Sequence, residues 1–340
     1  MAWRAVGLGS AIIGAVVGAG FASGREILQF FVLQGPAGGW GLLASTMGFI
    51  VLGAMLMEVV RRQGIRDYRR LLFFLCGRRL GRYLDALTGL FLFGGLTVVL
   101  AGGGAIFQQE LGLGFDLGLL ATASLIGSVL WFGRSGVLRF NAALVPCLVL
   151  IGTAVSVQSS RPWGQVILPP LPGLVANQRW LLSAFLYVSY NMIIIMVIVA
   201  SLGEEVRDRR TAILAGLVGG CGLGFLALAM AAPLYRYFPR VVEYDIPMLY
   251  VARQAAPVMV GPYLLALWAA MLTSGIANAY GLARRVGSRA ERGTGFLVLL
   301  AALLPARLGF SYLIATVYPL MGVLGAFMVV ALVVKAGRQG

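Results

Sequence analysis

Histidine is absent from this 340-residue chain, and lysine occurs once, at Lys335 near the C-terminus. These absences exclude histidine-based catalysis, zinc sites built on histidine and histidine proton relays. They also leave no lysine in any apolar run for a Ser–Lys centre. The three cysteines, Cys76, Cys147 and Cys221, stand far apart in or beside apolar runs, with neither metal-ligand spacing nor a disulfide framework. Charged residues make up only 11% of the chain. Asp85 and Asp116 fall near the ends of apolar runs, not as a mid-membrane pair, so an intramembrane aspartyl enzyme is excluded as well.

What is abundant is apolar sequence, 60% of the residues, in successive runs of membrane-spanning length. The expectation is an all-α polytopic membrane protein. Ten spans are expected, at about 5–33, 38–60, 84–107, 117–132, 140–157, 180–202, 211–233, 261–283, 294–306 and 310–334. The first run continues through Arg25 to about Leu33, which distinguishes it from a signal peptide. The net charge of +15 comes from basic residues between the runs. If the N-terminus is cytoplasmic, the inside segments run from Arg4 through Arg61–Arg82 and Arg284–Arg292 to Lys335 and Arg338. The outside segments hold only Arg161, Arg179, Arg236, Arg240, Arg253 and Arg307. This bias places both termini inside and the charge against lipid headgroups, not nucleic acid.

Two outside connections are long. Residues 158–179 carry Pro162, Pro169, Pro170 and Pro172 and are expected to form an extended loop. Residues 234–260 end in a stretch suited to a short helix, either a lid or a plain interfacial helix.

Within the first run lies Gly14-Ala-Val-Val-Gly18-Ala-Gly20-Phe-Ala-Ser-Gly24-Arg25-Glu26. Its GxGxxxG element lacks the strand and the downstream acid of a dinucleotide site. Two readings remain: small-residue helix packing, and an unwound hinge that offers N–H groups to an anion and carbonyls to a cation. Ten spans divide into five plus five of opposite orientation, so the sixth span should carry the matching break. It contains Tyr187-Val-Ser189-Tyr190-Asn191, a polar patch inside an apolar run. In the eighth span, Thr273, Ser274 and the Ala270 carbonyl offer three oxygens suited to an alkali cation. Simple back-bonding of the two hydroxyls to the preceding turn is the other reading.

Together these stretches resemble the LeuT fold of the amino acid–polyamine–organocation superfamily, along essentially the whole chain. Within it, the string GAGFASGRE resembles the YkvI-like bacterial membrane proteins. The resemblance implies one domain over 1–340, with inverted repeats at about 1–157 and 180–334 and discontinuous helices 1 and 6. It implies a sodium ion held by the Gly14 and Val17 carbonyls with Ala270, Thr273 and Ser274. A second sodium site is not expected, because Phe21 and Tyr187 stand where some members have Asn and Thr. The fifth span lacks the lysine that replaces sodium in some relatives. Substrate contacts fall at Gly18, Ala19, Gly20 and Phe21 and at Tyr187, Ser189, Tyr190, Asn191 and Met192. Gly94, Gly95 and Thr97 of the third span are better suited to packing.

Arg25 and Glu26 are gate candidates, Arg25 through a distant carboxylate. Glu26 could instead carry a proton or meet a cationic substrate. The implied function is sodium-coupled symport of a small polar organic solute, an amino acid or a relative, across the cytoplasmic membrane. No cofactor is expected beyond sodium, and the partners are the solute, sodium and lipid. The alternatives are a ligand-sensing receptor or channel-like protein on the same fold, resembling the germinant-sensing subunits of spores, and a proton-coupled or uncoupled transporter.

Overall fold

The computed structural model describes residues 2–132, 137–159, 179–286 and 291–337. The proline-rich connection expected at 158–179 lies almost wholly outside the described residues. Thirteen α-helices and no strand occur among the described residues. The first apolar run divides into α1 (Ala2–Val16), α2 (Ala19–Ala22) and α3 (Arg25–Phe30). Then follow α4 (Gly38–Gln63), α5 (Tyr68–Gln109), α6 (Phe115–Phe132), α7 (Val137–Ser159), α8 (Trp180–Ser201) and α9 (Arg209–Arg236). After these come α10 (Pro247–Ala255), α11 (Val260–Val286), α12 (Glu291–Ala306) and α13 (Phe310–Gly337).

Among the described residues six helical segments are long and apolar enough to cross a membrane: 32–63, 68–109, 180–201, 209–236, 257–283 and 310–337. Shorter apolar helices at 3–16, 115–131, 146–159 and 293–306 occupy the other four expected positions. The outward faces are apolar. On α4, Trp40, Leu43, Met47 and Val51 are exposed at helical spacing, and on α12 so are Leu297, Leu300 and Leu304. Such stripes would aggregate in water and are natural in lipid.

Local chemistry sets several boundaries. Asp67 caps α5 by accepting the Arg70 N–H at 2.8 Å, and Asp208 caps α9 through the Thr211 N–H at 2.8 Å. The basic stretch before the third expected span is helical too, set off by a turn at Gly77, whose φ of 75° lies in the left-handed region.

The sixth span departs from expectation. The α8 helix is continuous over its 22 residues, not broken like the first span. It contains neither Gly nor Pro, and at the polar patch the Asn191 side-chain amide donates back to the Tyr187 carbonyl at 2.9 Å within the turn.

The helices pack in two groups. One holds α1, α4, α8 and α9; the other holds α5, α6, α11 and α12, and α13 bridges them through α8 and α5.

Candidate functional site

The break in the first span has two parts. Gly18 is extended (φ −107°, ψ −167°), and Gly24 is left-handed (φ 79°). At the first part the Gly18 N–H turns to the Val16 carbonyl at 2.7 Å, so Gly14 loses the donor one helical turn ahead of it. Among the described residues no backbone N–H closes on the Val17 carbonyl either. These are the two first-span carbonyls expected to face a cation.

The freed groups further along are capped from other elements. The Tyr263 hydroxyl on α11 donates to the Ala22 carbonyl, and the Met248 N–H of α10 donates to the Ser23 carbonyl at 3.0 Å. The Ser23 hydroxyl closes on the Gly20 carbonyl at 2.8 Å. Because a buried carbonyl without a donor is costly, these bonds stabilise the break in its present shape.

The break packs against α11, which carries the other expected cation ligands. Ala270 and Thr273 are buried, and Ser274 is half-buried. The Thr273 hydroxyl donates to the Ala270 carbonyl at 2.9 Å, as in the back-bonding reading. That bond uses its proton and leaves oxygen lone pairs. A narrow apolar cleft, with a cavity volume of only about 20 Å³, adjoins the break; Val17, Phe21, Gly152, Met230 and Tyr263 line part of it. Phe21 therefore faces α7, α9 and α11 along with Val17.

Arg25 and Glu26 separate. The Glu26 side chain is almost fully buried, 3% exposed, and turns into the bundle. It accepts a hydrogen bond from the Tyr190 hydroxyl. It also lies against Gly20 so closely that a Cβ there would meet the carboxylate. Tyr190 stacks on Phe30 at 5.7 Å and faces Tyr318 of α13 at 5.0 Å. Tyr187 sits among Phe30, Phe31, Phe49 and Tyr190 at centroid distances of 4.8–5.8 Å.

The α8 candidates do not share one face. Tyr187, Tyr190 and Asn191 follow i, i+3, i+4 spacing, whereas Ser189 lies about 200° round from Tyr187. Near Ser189 the backbone is approached by Gly325 of α13. Met192 is fully buried. Three polar atoms of this stretch are buried without a partner: the Tyr187 hydroxyl, the Ser189 hydroxyl and Asn191 Oδ1. In the third span, Gly94 packs on Val317, Gly95 packs on Asn278, and the Thr97 hydroxyl bonds back to Phe93. All three take the packing role.

Arg25 meets no carboxylate. Its Nη1 donates to the Val242 and Tyr244 carbonyls at 3.1 and 3.0 Å. The connection bearing those carbonyls is folded inward as a lid, with Pro247 through Ala252 buried, not laid along the outside as an interfacial helix. Asp245, next in the chain, does not pair with Arg25 and turns to other elements. It accepts from the Ser311 N–H at 3.1 Å and from the Ser311 hydroxyl, and it exchanges hydrogen bonds with Gln109. The lid therefore ties the first span to α5 and α13. Tyr263, Tyr318, Gln109 and Ser311 border this region and were not among the sequence candidates, because only the tertiary packing brings them there.

Comparison with known proteins places this geometry. No family model matches the chain. It is 33% identical over 336 residues to the membrane protein YkvI of Bacillus subtilis (strain 168), across 96% of this chain and 95% of that one. It is 28% identical over 327 residues to protein YyaD of the same organism, across 94% of each. Among solved structures, the inward-facing conformation of Mhp1 matches 96% of this chain and 75% of its own, with a TM-score of 0.60 at 15% identity. A manganese transporter of Eremococcus coleocola matches 99% of this chain and 87% of its own, with a TM-score of 0.54 at 14% identity. At such identities the likeness is one of fold, the LeuT-type fold shared by both. These likenesses run to membrane proteins and membrane transporters, not to enzymes. With apolar helices throughout and a relative one-third identical along nearly its full length, the chain belongs to the YkvI family of multi-pass membrane proteins.

Proposed function

We propose that the chain is a sodium-coupled secondary transporter of a small polar organic solute, an amino acid or related compound. It works by alternating access in the cytoplasmic membrane with both termini inside. In this reading the ten apolar helical segments are ten spans, with the halves 1–157 and 180–334 related as an inverted repeat in one domain. Sodium sits between the Gly14 and Val17 carbonyls and Ala270, Thr273 and Ser274. The solute sits between Gly18–Gly20 and the α8 face that carries Tyr187, Tyr190 and Asn191; Phe21, Ser189 and Met192 point elsewhere and are not part of the contact set.

The observation that carries the reading is the pair of carbonyls, Gly14 and Val17, released from the helical ladder just before α2, the short segment that packs against α11. Released carbonyls at membrane depth suit a cation without a hydration shell. Among the described residues no group of three His, Cys, Asp or Glu could hold a metal ion, which favours an organic cargo over a transition metal. The packing of α1, α4, α8 and α9 as one group and of α5, α6, α11 and α12 as another suits a rocking motion between them.

The test is thermal stability of the purified protein across a solute panel, with and without sodium, followed by uptake into proteoliposomes. A solute that stabilises only with sodium, and accumulates only along a sodium gradient, is the expected result. Replacing both hydroxyls, Thr273→Ala with Ser274→Ala, should abolish the sodium dependence. Unchanged dependence would remove this site, and binding without uptake would make the protein a receptor.

A further inference from the structure

Among the described residues Glu26 is a buried carboxyl without a counter-charge. No ion pair reaches it from them, and the one hydrogen-bond partner among them is the neutral hydroxyl of Tyr190. Arg25, beside it in sequence, is committed to the Val242 and Tyr244 carbonyls on the lid. The elements around Glu26 supply aromatic rings, not cations: Phe30 on its own helix, Tyr187 and Tyr190 on α8, and Tyr318 on α13. A carboxylate at this depth takes its neutralising positive charge from outside the chain or goes without ionisation.

The surroundings indicate what kind of charge fits. Tyrosine faces attract a cation. Asn191 Oδ1 is an acceptor without a donor, and the Tyr187 hydroxyl, also unpartnered, can accept as well as donate. Both share a side of α8 with Tyr190. Acceptors, ring faces and one carboxylate together form a complement to a group that is positive and rich in N–H donors. The close seat of Glu26 on Gly20 places the carboxylate beside the break itself.

We propose that the Glu26 carboxylate is the docking point for the ammonium end of the solute, flanked by the Tyr190 ring and by Asn191. The proposal rests on the solute-binding reading above and narrows it to compounds that carry a protonated amine. Tyr190 holds the carboxyl in the closed form, and the ammonium takes over when the site is loaded.

The experiment uses the full chain in nanodiscs, with sodium present and thermal stability as the readout. The probes are the common amino acids, their decarboxylated amines and their 2-hydroxy-acid analogues, in which a hydroxyl replaces the ammonium. The expected result is an amine-bearing probe that stabilises the protein, with its hydroxy analogue at least about 10-fold weaker. Glu26→Gln, which keeps shape and the ability to accept from Tyr190, should weaken that probe about 100-fold. Tyr190→Phe, which keeps the ring and frees the carboxylate, should change it less than about 10-fold.

A hydroxy analogue that binds as well as its amine overturns the proposal, and so does full affinity in Glu26→Gln. Equal losses in Glu26→Gln and Tyr190→Phe also overturn it, because they would mark a purely structural pair. Uptake separates this inference from the transporter reading. A hydroxy acid bound and transported sinks the ammonium site and leaves transport standing. An amine bound through Glu26 but never accumulated does the reverse.

Discussion

The lid should open when Arg25 is replaced by Met. In the closed form the guanidinium donates to two lid carbonyls, at 3.1 and 3.0 Å. A hydrogen bond from a charged donor contributes about 1.5 kcal/mol net at the low end of its range, so the pair holds the lid by about 3 kcal/mol. At 1.4 kcal/mol per decade, losing both shifts the closed-to-open balance about 100-fold. The reporter is Ser23→Cys, placed in a chain whose native Cys76, Cys147 and Cys221 are replaced by Ser. Ser23 is fully buried, and its carbonyl is capped by Met248 of the lid helix. Maleimide labelling at this position therefore measures opening. Arg25→Met should speed labelling about 100-fold, or about 10-fold if one of the bonds is recovered through water. A control cysteine at Ala302, buried in α12, should label at the same slow rate in both backgrounds. An unchanged rate at Ser23 would refute the latch, and a faster rate at both positions would mean general unfolding.

Three further outcomes are expected. Tyr263→Phe leaves the buried Ala22 carbonyl without its donor and should cost about 1–3 kcal/mol, seen as a lower Tm. Gly24→Ala imposes a left-handed φ on an L-residue and drives a Cβ to 2.6 Å from Met248 Cγ. It should lower the Tm further than Gly7→Ala, where a Cβ meets nothing within 4 Å. At the exposed end of α9, the Thr211 N–H and hydroxyl hold the Asp208 carboxyl below its ordinary value. A carboxyl depressed by folding contributes stability above its unfolded pKa and loses it as pH falls through the folded one. The Tm gap between wild type and Asp208→Ala should therefore be full at neutral pH and close in acid. A gap that persists in strong acid would contradict this.

Much of the fold was legible because lipid constrains sequence heavily: apolar runs must be helical, and their order was readable from length alone. The first-span break was legible for the same reason, since glycine clusters are conspicuous where helices are otherwise obligatory. The continuity of α8 was not foreseen. Symmetry suggested a break in the sixth span, yet residues 180–201 offer no Gly or Pro to make one. The side-chain directions at Arg25 and Glu26 were illegible for a different reason. On an unbroken helix their phase would follow from Gly14 and Val17 at about 100° per residue. The extended Gly18 and the left-handed Gly24 reset that phase twice, sending Glu26 to α8 and Arg25 to the lid.

That double reset divides the freed backbone into two populations with different consequences. Gly20, Ala22 and Ser23 have carbonyls capped from within the chain, two of them by α10 and α11. Gly14 and Val17 have no such backbone donors. Opening on the lid side must strip the Met248 N–H from Ser23 along with the Arg25 bonds, and each stripped group has to be met by water or ligand. Within the first set only the Ser23 carbonyl depends on the lid, whereas Ala22 depends on Tyr263 of α11 and Gly20 on the Ser23 hydroxyl. One broken helix thus presents both capped and uncapped acceptors, and Glu26 lies beside Gly20 of the capped set.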